Sequence, residues 1–168
     1  MAPCWMKSCA SDQSSGIILI GYGNELRGDD AVGPRIAQAI AGWRLAGVES
    51  RACHQLLPEL AESLYRNEYA IFVDASLDSR REGVSVAEVI PAVSNAVGSH
   101  RSDPGSLLAL SRALYGRTPC AWMVRVPIAQ CNLGAGLSKS AQRRMNAALE
   151  SIRQLLSALD ERAALRHA

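Results

Sequence analysis

No stretch of the 168 residues reaches the roughly 18 uninterrupted apolar positions that a membrane span needs. Residues 1–15 contain one Lys and scattered polar residues where a signal peptide would have an apolar run. Neither sign of charge is in excess: 18 Lys and Arg stand against 16 Asp and Glu, a net of +2. That balance argues against the basic footprint of a nucleic-acid binder and against an acidic disordered tail. Five cysteines, Cys4, Cys9, Cys53, Cys120 and Cys131, make an odd set with no CxxC pair. A disulfide framework and a structural zinc ribbon are therefore disfavoured, and a reducing cytosol is expected. Internal repeats, low-complexity stretches and linkers are also missing. The expectation is a soluble, unexported, cytoplasmic protein whose partners include neither nucleic acid nor membrane.

What is present is a 48% hydrophobic chain of a length that suits one substantial core. Gly16-Ile-Ile-Leu-Ile-Gly-Tyr-Gly23 reads as a buried strand running into a tight loop at Gly21 and Gly23. Ala31, Ile36, Ala37, Ile40 and Ala41 then recur at helical spacing, with Asp29 or Asp30 where an N-cap belongs and Pro34 near the first turn. Val48–Cys53 reads as a second strand, Leu57–Leu64 as a helix, and Tyr69–Ala75 as a third strand that carries a carboxylate, Asp74, at its end. Gly83–Ile90 alternates like a strand with one wetter face. A loop over 91–103, a helix over Pro104–Tyr115 and a fifth strand over Cys120–Val126 follow. Ser138 is placed to cap a last helix from Lys139 to about Leu159. Strands alternating with helices predict a single α/β domain over residues 16–159, a mostly parallel five-stranded sheet with helices on both faces. Residues 1–15 read as a disordered N-terminal extension and 160–168 as a C-terminal tail.

Ligands of such sheets sit at the carboxyl ends of the strands, near the point where strand order reverses. Three groups are expected at that edge: Asp30 after the first strand, Asp74 closing the third, and His100 in the loop after the fourth. Two carboxylates and an imidazole form a borderline ligand set for a divalent transition metal such as nickel or zinc, with positions left open for water or substrate. Each has an ordinary alternative. Asp30 can be a helix-stabilising acid, Asp74 a loop cap and His100 a solvated loop residue. Cys53 and His54 adjoin, but neighbours on a strand point to opposite faces and cannot readily form a nucleophile and its base. Gly21-x-Gly23 lacks the third glycine of a dinucleotide fingerprint, and Glu25 brings negative charge where a pyrophosphate would lie.

The string Gly21-Tyr-Gly-Asn-Glu-Leu-Arg-Gly-Asp-Asp-Ala-Val-Gly33 resembles the GxGNxLxxDDxxG signature of the nickel-iron hydrogenase maturation proteases. Gln55-Leu-Leu-Pro-Glu59, Ile71-Phe-Val-Asp-Ala75, His100 with Pro104 and Leu107-Leu108, and Leu133-Gly134 with Leu137-Ser138 are similar to that family's later landmarks, in order, over roughly residues 16 to 158. The resemblance implies a phosphorylase/hydrolase-like α/β fold and an endopeptidase that removes the C-terminal extension of a hydrogenase large-subunit precursor after nickel insertion. It implies that nickel arrives on the substrate, another divalent ion substituting in vitro, and that Asp30, Asp74 and His100 contact it. Asp30 and Asp74 are then the candidates to activate water, Asn24 and Gly28 shape the loop with the two earlier glycines, and Asp29 supports the loop or a helix start. Asp30 stands where the family takes Asp or Glu. Two rivals are weighed. A peptidyl-tRNA hydrolase also opens with GxGN, yet expects a histidine soon after the loop and a basic groove, whereas the first histidine here is His54. A non-catalytic nickel carrier would use the same three residues and leave the precursor's mass unchanged.

Overall fold

The computed structural model describes residues 16–77, 83–92 and 103–166. Two apolar runs form the middle of the sheet because they can be buried on both faces. They are β1 (Ile17–Tyr22) and β3 (Tyr69–Ser76), and residues 17–21 and 69–73 are all buried. β5 (Cys120–Pro127) lies beside β3, and the wetter segments β2 (Val48–Cys53) and β4 (Ser85–Val89) take the edges, giving the order β2-β1-β3-β5-β4. β2, β1, β3 and β5 are parallel, whereas β4 pairs antiparallel with β5. The mostly parallel five-stranded sheet is thus as expected, with one antiparallel edge. Only eight residues, 77–84, join β3 to β4. That is shorter than the dozen or so a parallel crossover requires.

Helices cover both faces. On one, α1 (Val32–Gly42) and α4 (Lys139–Arg166) bury Ile36, Ile40, Ile152 and Leu156 against Leu19, Ile71 and Val124. On the other, α2 (Leu60–Tyr65) and α3 (Pro104–Tyr115) bury Leu64, Leu107 and Leu108 against Ile18, Ile20 and Phe72. The alternation of β1, with Ile17 and Leu19 to one cluster and Ile18 and Ile20 to the other, feeds both cores.

Three expectations need correction. The acids do not cap α1: Gly28–Ala31 is a 3-10 turn, the residue before α1 is Ala31, and no side chain caps it. α2 begins at Leu60, beyond Pro58, because Leu57 to Glu59 form a turn first. α4 continues past Leu159 to Arg166, since Leu156 and Leu159 still find the core and keep the last turns seated. Among the described residues no helix is long and apolar enough to cross a membrane.

Candidate active site

The strand order fixes where a site can form. From β1 the chain crosses through α1 to β2 on one side, and β3 returns to the other side of β1. The carboxyl ends of β1 and β3 therefore diverge at a topological switch, the crevice where parallel sheets bind ligands. The 24–31 loop leaves β1 at this point, and Asp74 lies near the end of β3.

The loop is held by its own polar groups. Asn24 Oδ1 accepts the Leu26 N–H at 2.9 Å, and the Asn24 N–H donates to Asp30 Oδ2 at 2.8 Å. Asp30 Oδ1 has no hydrogen-bond partner among the described residues, so one oxygen of this half-buried carboxylate is available. Gly23 has φ of 148°, and a Cβ there would lie 2.2 Å from Asp30 O. The chain turns back on itself too closely for any side chain. At Gly21 a Cβ would sit 2.0 Å from Gly33 O, which brings the first turn of α1 directly against β1. Gly28, also at positive φ, packs the turn near Asn132 and Ala135.

Asp29 and Asp30, adjacent in sequence, do different things. Asp29 is fully buried, and its carboxylate accepts the Ser138 N–H at 2.7 Å and the Ser138 Oγ–H at 2.9 Å. Ser138 Oγ in turn accepts the Ala141 N–H at 3.1 Å, the expected cap of α4. The helix start that Asp29 supports is therefore that of α4.

Asp74 is half-buried and follows Ala70 and Phe72 onto the α2/α3 face. Tyr22 hydrogen-bonds it from β1, and Arg125 is its register partner on β5. Burial first, and then the Asp74 carboxylate, push the Tyr22 phenol far above its ordinary value, with Arg125 opposing. Asp103, which caps α3 by accepting the Ser106 N–H at 3.1 Å, adds to the push and marks the return of the chain towards this edge. The return matters, because antiparallel β4 ends at the opposite end of the sheet from β1 and β3. His100 lies outside the described residues. Among the described residues no three His, Cys, Asp or Glu side chains are grouped to hold a metal.

Tyr22 and Arg125 were not singled out in the sequence. Strand alternation assigns each a face, but only the register places them level with Asp74. A cleft of about 650 Å³ opens beside the loop, lined by Asn24, Glu25, Gln38, Cys53 and the exposed His54. Burial pushes the Cys53 thiol up against the opposing effect of Arg51, the wrong direction for a nucleophile. A larger cleft of about 710 Å³, between Ile17, Trp43 and Leu156, lies at the amino end of β1, away from these groups.

No family model and no curated protein matches the sequence. Solved structures do match. The nickel-iron hydrogenase maturation protease HycI from Thermococcus kodakarensis superposes with a TM-score of 0.69 at 20% identity, over 85% of this chain and 93% of that one. The hydrogenase maturating endopeptidase HybD from E. coli gives a TM-score of 0.68 at 24% identity, over 87% and 93%. The solution structure of an endopeptidase from Escherichia coli gives 0.68 at 25% identity, over 87% and 93%.

Proposed function

This chain has the fold of the nickel-iron hydrogenase maturation proteases, and from that premise we propose that it is an endopeptidase that trims the C-terminal extension of a hydrogenase large-subunit precursor once nickel is inserted. The observation that carries the reading is the position of the two acids. Asp30, in the loop that follows β1 and with one oxygen unengaged among the described residues, and Asp74, near the end of the adjacent parallel strand β3, lie by the switch point, in a fold shared with endopeptidases over most of its length.

In this reading the nickel belongs to the substrate. The precursor presents it, and Asp30, Asp74 and His100 contact it. A cleft with few ligands gains affinity only when the substrate supplies the ion, so an unfilled precursor is rejected. Two routes to hydrolysis are compatible with these residues. The metal can orient the segment and polarise its scissile carbonyl, or Asp30 or Asp74 can take a proton from the attacking water. A thiol route is disfavoured by the raised thiols of Cys53 and Cys131.

The test is to incubate the protein with nickel-loaded and nickel-free precursor and to follow both the precursor's mass and the location of the nickel. Loss of the tail from the loaded precursor alone is expected. Transfer of nickel with no change of mass would replace the protease with a carrier. Substituting His100 by Ala should abolish trimming while leaving the circular-dichroism spectrum unchanged, and full trimming by that variant would remove His100 from the site.

A further inference from the structure

Tyr22 ends β1, and Asp74 lies near the end of β3. The parallel register runs from Ile17 against Tyr69 to Gly21 against Val73, so the next residues, Tyr22 and Asp74, lie level on neighbouring strands. Neighbouring strands are about 4.8 Å apart, within reach of adjacent side chains on one face. Both side chains take the α2/α3 face. Tyr22 packs against the cluster that includes Ile20, Phe72 and Leu108, and Asp74 continues the row of Ala70 and Phe72. The phenol and the carboxylate are hydrogen-bonded, and in such a pair the O–H donates and the carboxylate accepts.

We propose that Tyr22 is a positioning residue for the reaction: its hydroxyl, donating to the Asp74 carboxylate, fixes the orientation in which that carboxylate meets the substrate's metal. The inference rests on the reading that Asp74 meets that metal. The packing needs of the position do not call for a hydroxyl. Tyr22 packs against an apolar cluster that includes Ile20, Phe72 and Leu108, which a Phe ring would contact equally well. Among the described residues, the hydrogen-bond partner of this hydroxyl is the Asp74 carboxylate. A carboxylate with a donor on one oxygen keeps a single orientation, and losing such a partner of a metal ligand lowers metal affinity or activity by about 10- to 100-fold.

The experiment compares the full chain with Tyr22→Phe, Tyr22→Leu and Asp74→Asn. Each is measured by thermal melting, calorimetric titration with nickel chloride, and initial rates on nickel-loaded precursor. Tyr22→Phe is expected to melt like the parent, to bind nickel about 10- to 100-fold more weakly, and to lose the same factor in kcat/KM. Tyr22→Leu should lose no more nickel affinity than Tyr22→Phe, because both lack the hydroxyl. If Tyr22→Phe matches the parent in both readouts while Tyr22→Leu and Asp74→Asn fail, Tyr22 serves packing alone and the inference falls. If Asp74→Asn itself matches the parent, the assignment of Asp74 falls, and the role of Tyr22 falls with it.

Discussion

Asp29 and Asp30 illustrate how far identity can mislead about role. One is buried and spends its carboxylate on Ser138, 109 residues away in sequence; the other, among the described residues, keeps an oxygen unengaged at the switch point. Replacing Asp29 by Ala strands the Ser138 N–H and hydroxyl and should cost about 2–4 kcal/mol of stability in a denaturant melt. Asp30→Asn should instead keep its bond to the Asn24 N–H, melt like the parent, and lose trimming by about 10- to 100-fold. Gly33 is limited by space. A Cβ there would lie 2.4 Å from Tyr22 O and 2.8 Å from Val73 O, both backbone atoms that cannot move independently. Gly33→Ala should therefore destabilise by more than about 4 kcal/mol, beyond the usual range for one substitution, and appear as insoluble or unfolded chain. Burial pushes the thiols of Cys53 and Cys131 up, aided at Cys131 by Asp30. At neutral pH they stay protonated, so iodoacetamide should react slowly and leave trimming of the precursor intact; activity lost in step with Cys53 labelling would contradict this.

The element scale is where the sequence was most legible, for identifiable reasons. β1 and β3 stood out because burial on both faces demands an unbroken apolar run, and α3 because Leu107, Leu108, Leu110 and Leu114 recur at helical spacing after Pro104. The direction of β4 and the register between strands were not legible, since both depend on contacts between distant segments and not on local pattern. For the same reason the partner of Asp29 and the neighbours of Asp74 escaped the sequence reading, although both acids stood out. The cap of α3 carries a pH signature. Burial alone would raise the Asp103 carboxyl, but the Ser106 hydroxyl and N–H and other donors outweigh it and hold the carboxyl below its ordinary value. A depressed folded value means that the stabilisation is complete above the ordinary aspartate range and is lost as pH falls through the folded one. Asp103→Ala should cost about 1 kcal/mol at neutral pH. The gap between parent and variant should close as pH drops below about 4, and a gap that persists in acid would assign the loss to packing.

Across the whole molecule, the strand order positions the two candidate acids, Asp30 in the loop after β1 and Asp74 near the end of β3. The order β2-β1-β3-β5-β4 opens the crevice between β1 and β3, and the tight contact of Gly21 with Gly33 draws α1 and the Asp30 loop up against it. The same architecture is shared with hydrogenase maturation proteases at TM-scores of 0.68 and 0.69 despite identities of 24% and 20%. The most direct test of the account is a mass measurement on the large-subunit precursor after incubation with the parent chain and with Asp74→Asn, each with and without nickel in the precursor. The account predicts that only the parent with nickel-loaded precursor yields the shortened large subunit and a released tail. Shortening by Asp74→Asn at the parental rate, or of nickel-free precursor by the parent, would contradict it.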